Sequence, residues 1–207
     1  PDGVINMVHG PGPLVGEIAL KHPKLGGVHF TGSTKTFQHM WATVGQNIAN
    51  YETYPRLVGE TGGKDFIVAH ESADLQSLAV AITRGAFEYQ GQKCSAVSRV
   101  YVPQGMWGAL SEKLKGMHAE LKVGDITDFR NFMGAVIDKR AFDKIKGYID
   151  YAKEHKDGEV FLGGECDDSK GYFIQPTVVL AKDPNFKLIQ EEIFGPVVTI
   201  YSYPDGE

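Results

Sequence analysis

Cys94 sits in Gly91-Gln-Lys-Cys-Ser95, a loop opened by a glycine, with Lys93 before the thiol and Ser95 after it. The thiolate is the nucleophilic form of cysteine, and an adjacent ammonium favours it, so this pair has the ingredients of covalent catalysis. The same residues also suit a small apolar side chain in a packed loop, with Lys93 turned to solvent. Cys166, in Gly163-Gly-Glu-Cys-Asp-Asp168, reads as an incidental surface thiol in a polar turn. A cysteine protease would need a histidine to take the thiol proton and a third group to orient it. The seven histidines are scattered, and none forms a local signature.

Glu60 precedes Cys94 by 34 residues and opens Glu60-Thr-Gly-Gly-Lys64. A carboxylate can serve as general base when burial tunes its proton affinity upward; it can equally be a plain strand-end or capping group. Upstream, Thr31-Gly32-Ser33-Thr34 joins a strand-like run to a helix-like one. Such a junction aims backbone N–H groups and a helix N-terminus at anions. A capped helix start, with Ser33 or Thr34 as the cap and no ligand, explains the same residues. Glu191-Glu-Ile-Phe-Gly-Pro196 is by itself a charged loop ahead of a buried aromatic residue.

The elements that must carry these residues alternate between the two periods, which predicts an α/β architecture. Strand-like runs are Ile5–Val8, Gly27–Phe30, Arg56–Gly59, Phe66–Ala69, Arg99–Val102, Val160–Leu162, Phe173–Leu180 and Val197–Tyr201. Phe66–Ala69 is continuous enough to predict a buried strand, and His9-Gly-Pro-Gly-Pro13 predicts a loop. Helical stripes run through Phe37, Trp41, Val44 and Ile48, and through Leu75, Leu78, Ala79, Ile82 and Ala86, with Ser72 or Asp74 as N-cap of the second. Two more run through Trp107, Leu110, Leu114, Met117 and Leu121, and through Phe142, Ile145, Ile149 and Ala152. There is no internal repeat, and the one domain boundary falls near Glu60.

With 42% hydrophobic and 23% charged residues, the 207-residue chain has the composition of an ordinary globular protein. Its net charge of -5 is spread along the sequence without a basic block, which argues against nucleic-acid binding. No apolar run approaches the ~18–20 residues that span a bilayer. Two cysteines are too few for a disulfide framework and point to a reducing compartment. Pro1 at the start and Tyr203-Pro-Asp-Gly-Glu207 at the end read as cuts through a longer chain, with any targeting signal outside them.

Taken together and in order, Phe30-Thr-Gly-Ser-Thr34, Gly59-Glu-Thr-Gly-Gly-Lys64, Gly91-Gln-Lys-Cys-Ser95 and Glu191-Glu-Ile-Phe-Gly-Pro196 resemble the motifs of the aldehyde dehydrogenase superfamily. The resemblance covers essentially the whole chain. It is strongest to the delta-1-pyrroline-5-carboxylate (glutamate semialdehyde) dehydrogenase branch, through Phe87-Glu-Tyr-Gln-Gly-Gln-Lys-Cys-Ser-Ala96, Ala135-Val-Ile-Asp138 and Gly171-Tyr-Phe-Ile-Gln-Pro176.

That resemblance implies an α/β fold in which residues 1–59 close a doubly wound NAD-binding domain. Residues 60–207 would then form most of an α/β catalytic domain. It implies Cys94 as nucleophile and Glu60 as general base, with NAD as cofactor and no metal. Gly32, Ser33, Thr34, Lys35 and Thr36 would lie along the NAD phosphates. Thr61 would offer its carbonyl to the carboxamide, Glu192 would accept from the nicotinamide-side ribose hydroxyls, and Phe194 would neighbour the nicotinamide ring. Ser95 would contact the substrate's carboxylate end, and the Cys94 N–H would be one oxyanion donor. The implied partners are a small-molecule aldehyde and, in the parent, further copies of itself, with no nucleic acid and no membrane. The implied compartment is the mitochondrial matrix in a eukaryote and the cytoplasm otherwise. Another aldehyde dehydrogenase is one alternative; a non-catalytic relative keeping the fold as a binding or structural module is the rival class, and it would have no need of either Cys94 or Glu60. The cut ends lead to the expectation that the chain alone completes no catalytic cycle.

Overall fold

The computed structural model describes residues 1–206. Contacts divide the chain into two compact units, Pro1–Gly62 and a larger one beginning at Gly63. In the first, helix α1 (Gly12–Leu20) leads to strand β1 (Gly27–Thr31), helix α2 (Thr34–Gln46) and strand β2 (Arg56–Glu60). β1 and β2 run parallel, with Thr31 opposite Glu60, the pairing that a helical crossover produces. Phe37 on α2 stacks on Phe30 of β1, ring planes 4° apart. Gly59 lies beneath that ring: a Cβ there would meet Phe37 at 2.5 Å.

Two expectations for this unit change. Ile5–Val8 forms no strand; its residues are exposed and have no pairing partner among the described residues. The Gly-Pro-Gly-Pro segment begins α1, with Pro13 in the first turn. A proline is tolerated there because the first N–H groups of a helix have no intrahelical acceptor.

The second unit contains strand β3 (Phe66–Val68), helix α3 (Leu75–Phe87), strand β4 (Arg99–Pro103) and helix α4 (Gln104–Glu120). Then come helix α5 (Lys139–Glu154), strand β5 (Gly158–Leu162), the short pair β6 (Cys166–Asp167) and β7 (Phe173–Ile174), strand β8 (Thr177–Ala181), helix α6 (Lys187–Gln190) and strand β9 (Val197–Tyr203). Five strands form one sheet in the order β3-β4-β9-β8-β5. The first four are parallel, and β5 is antiparallel to β8.

The period-two alternation of the central strands divides the interior into two cores. Val178 of β8 with Val198 and Ile200 of β9 face a cluster containing Ile82, Ala86 and Phe87 of α3 and Leu110 and Leu114 of α4. Val179 and Ala181 with Val197 face the opposite cluster, built on Phe142, Ile145, Ile149 and Ala152 of α5. Each such Ile, Leu or Phe contributes about 1.5–3 kcal/mol by leaving water. Helix starts are set locally: Asp74 accepts from the Ser77 N–H at 2.8 Å and Asp138 from the Ala141 N–H at 2.7 Å, the N-cap geometry.

Three further expectations change here. The Phe66–Ala69 run forms the edge strand β3 over Phe66–Val68, with Phe66 and Val68 58% and 61% exposed and the Arg99 guanidinium over the Phe66 ring. Phe173–Leu180 is two strands, broken at Gln175-Pro176, where proline has no N–H to give a ladder. Cys166 lies in β6, packed against the second core, and burial pushes its thiol up.

Candidate active site

The phosphate-loop candidates of the first unit lie at one strand-to-helix junction. Ser33 caps α2, its Oγ accepting from the Thr36 N–H at 3.1 Å and lying 2.7 Å from the Thr36 hydroxyl. The first-turn N–H groups of Thr34 and Lys35 have no intrahelical acceptor. Both residues are exposed. The Gly32 N–H donates to the Glu60 carbonyl at 3.1 Å, so the β1–β2 pairing sets Glu60 beside the start of this loop. The Glu60 side chain is exposed at the end of β2, and Thr61 follows it, half-buried.

In the second unit, Cys94 and Ser95 occupy the corner of a β-turn closed by the Ala96 N–H donating to the Lys93 carbonyl at 3.1 Å. Both corner residues are exposed. The backbone N–H of Cys94 has no acceptor among the described residues. Behind the turn the chain passes through Tyr89, Gln90 and Gly91 with φ of 54°, 58° and 63°, a left-handed conformation that costs a non-glycine residue about 1–2 kcal/mol. Gly91 has a second reason to lack a side chain: a Cβ would lie 2.2 Å from the Gly195 carbonyl oxygen. Phe194, before that glycine, is also left-handed at φ 58°.

This close approach brings the cysteine loop against the segment carrying Glu192 and Phe194. A narrow cleft between them is lined by Gly63, Gly91, Lys93, Ser98, Glu192 and Phe194 among others. Glu192, half-buried, accepts from the Gly63 N–H at 3.0 Å through Oε1. A Cβ on Gly63 would lie 3.2 Å from the Cys94 carbonyl oxygen, so glycine lets this stretch of chain run against the Cys94 backbone. Successive turns of α5 hold the acidic segment: Lys144 Nζ donates to the Glu192 carbonyl at 2.8 Å and the Tyr148 hydroxyl to Glu191 at 2.7 Å. Burial, reinforced by Glu191, pushes the Tyr148 hydroxyl up to about 12.

Lys93 turns back to Glu88, its ammonium 2.9 Å from Oε1, and Glu88 also holds Arg84. Its charge is therefore engaged by a carboxylate one turn earlier, a partner that adjacency in sequence did not suggest. Lys64 donates to the Leu188 carbonyl at 2.9 Å. Burial and then the nearby Arg99 lower it to about 8.

The sequence-predicted residues thus fall into two groups: Gly32–Thr36 with Glu60 and Thr61, and Cys94 and Ser95 with Glu192 and Phe194. Sequence reasoning missed Lys144, and it quoted Gly63, Gly91, Gly195 and the glutamines of the cysteine loop inside motifs without giving them a role. Their partners are distant in sequence, so no local pattern marks those contacts.

The profile of the aldehyde dehydrogenase family matches residues 1–207. The chain is 48% identical to the mitochondrial delta-1-pyrroline-5-carboxylate dehydrogenase of Dictyostelium discoideum, over 100% of this chain and 38% of that protein. It is 46% identical to the human mitochondrial protein of the same name, over 100% of this chain and 37% of that one. The NAD-bound crystal structure of the Mycobacterium tuberculosis delta-pyrroline-5-carboxylate dehydrogenase superposes with a TM-score of 0.92 at 53% identity, covering 99% of this chain and 37% of that one. The chain therefore spans somewhat over a third of the length of these relatives. It belongs to the aldehyde dehydrogenase family.

Proposed function

We propose that the chain is part of an NAD-dependent enzyme that oxidises L-glutamate γ-semialdehyde to L-glutamate, a step of proline catabolism. The observation that carries this reading is the turn itself: Cys94 stands exposed at its corner, and its own N–H has no acceptor among the described residues. Identity to dehydrogenases named for this substrate supports the choice of aldehyde.

The residues present suit the cofactor. Unpaired N–H groups at the start of α2 suit phosphate oxygens, with Gly32, Ser33, Thr34, Lys35 and Thr36 along them. Glu192 would accept from ribose hydroxyls, Thr61 would offer its carbonyl to the carboxamide, and Phe194 would flank the ring. NAD, when bound, accepts the hydride.

The Cys94 thiolate attacks the aldehyde carbon and forms a thiohemiacetal, whose oxyanion receives the Cys94 N–H. Loss of hydride from that carbon leaves a thioester on Sγ. Glu60 takes a proton from water, the resulting hydroxide attacks the thioester, and the acid departs while sulfur leaves as thiolate. Ser95 meets the substrate's carboxylate end. In a eukaryote the enzyme would work in the mitochondrial matrix, a reading supported by relatives named mitochondrial; otherwise in the cytoplasm.

Rapid mixing of the full-length enzyme with aldehyde and NAD tests this. Cys94→Ala should remove turnover by roughly 10⁴-fold or more while NAD affinity stays close to wild type. Glu60→Gln should keep the first NADH burst and slow the following steady state by about 10²–10⁴-fold. Sustained turnover by Cys94→Ala would end the nucleophile assignment. Loss of the burst with unchanged thioester hydrolysis would end that of Glu60.

A further inference from the structure

A turn built from left-handed residues has to be held from outside, and two of the three in succession here, Tyr89 and Gln90, are not glycine. The glutamines on either side of Gly91 end on one stretch of chain. Gln90 Nε2 donates to the Ala135 carbonyl at 3.0 Å, and Gln92 Oε1 accepts from the Ile137 N–H at 2.9 Å. That stretch is itself fixed. Between the two partners, Val136 buries its side chain in the second core and donates its N–H to the Tyr172 carbonyl at 2.9 Å. Asp138 then caps α5. One carbonyl and one N–H, two residues apart, are left for the loop, the pair of groups a neighbouring strand would engage.

The geometry points to Gln90 and Gln92 as positioning residues for Cys94: two side-chain amides stand in for a strand partner and lock the left-handed turn that presents the thiol. The inference rests on the reading of Cys94 as nucleophile. A carbonyl only accepts and an N–H only donates, so Gln90 must present its NH₂ and Gln92 its oxygen. The clamp therefore has a polarity, and the polarity can be tested.

In the full-length enzyme, Gln90→Lys keeps a donor and Gln92→Glu keeps an acceptor; Gln90→Glu and Gln92→Lys reverse each. The readouts are kcat, KM for NAD, and hydrogen exchange of the 89–95 amides against those of β8 and β9. The polarity-keeping pair should stay within about threefold of wild type in kcat. The reversing pair should lose about tenfold to a hundredfold in kcat, as a displaced reacting atom does, with KM for NAD unmoved. Exchange of 89–95 should quicken in that pair alone, while the core strands stay protected. Equal losses in both pairs, or none in either, overturn the clamp; if Gln90→Glu fails to fold, the Gln92 pair decides alone. Exchange reports on the loop whatever Cys94 does. A Cys94→Ala enzyme that still turned over would sink the functional reading and leave the clamp to be judged by exchange.

Discussion

The loop after β1 and the loop after α3 both deliver polar groups to a proposed ligand, and they are held in opposite ways. At the first, Ser33 bonds Thr36 three residues on, and the only hydrogen-bond partner from afar among the described residues is the Glu60 carbonyl on the paired strand. At the second, the determinants come from 45 residues away at Ala135 and Ile137, and from about a hundred away at Gly195. A capped helix start is written in consecutive residues. A left-handed turn bearing the proposed nucleophile is written across the domain. Local damage should therefore be small at the first loop and large at the second.

The largest effect that would sharpen this contrast is Gly91→Ala. The new Cβ is left-handed and would meet the Gly195 backbone at 2.2 Å, where neither chain can move without opening the cleft. Overpacking of this kind costs about 1–3 kcal/mol, and the left-handed methyl adds about 1–2 kcal/mol. Thermal denaturation of the full-length protein should show a midpoint lower by many degrees. A midpoint within a degree or two of wild type would break the contrast.

Ser33→Ala is the matching change at the first loop. It removes one cap and should cost about 1 kcal/mol, with kcat nearly intact. A loss of stability as large as that of Gly91→Ala would show that the first loop is not held locally.

A further effect is read against pH. Lys64, lowered to about 8 by burial, binds fewer protons folded than unfolded between about 8 and its ordinary value of 10.5. Stability rises with pH wherever the unfolded chain binds more protons, so burial of the charged Lys64 costs stability below pH 8, and that cost is relieved from about 8 to 10.5. Lys64→Met should flatten denaturant midpoints across that window. An unchanged slope would show that Lys64 titrates as an exposed lysine.

The same contrast explains what could be read from the sequence. The stripes through Leu78, Ile82 and Ala86, and through Phe142, Ile145 and Ile149, gave the helices because a helix face repeats within the segment itself. Glu60, Cys94 and Glu192 were grouped as a set only by the resemblance of their motifs, taken in order, to the aldehyde dehydrogenase family. Phe66–Ala69 misled because a run of apolar residues looks alike at the edge and at the centre of a sheet, and only pairing with β4 on one side decides. Cys166 misled because its acidic neighbours hid a side chain directed at the core. Gln90 and Gln92 were part of the resembling motif, but their role could not be read, since a glutamine's role depends on the backbone atom it meets.

The strand order has a consequence for how this protein is made. β4 pairs with β9 so that Arg99 lies opposite Thr199, one hundred residues later in synthesis. At about 5–20 residues per second, a ribosome needs roughly 5–20 s to supply that partner. Throughout that interval β4 can pair only with β3, and its other edge stays open to any strand from a neighbouring nascent chain. An edge that lies inside the finished sheet is thus exposed for seconds while the chain is being made.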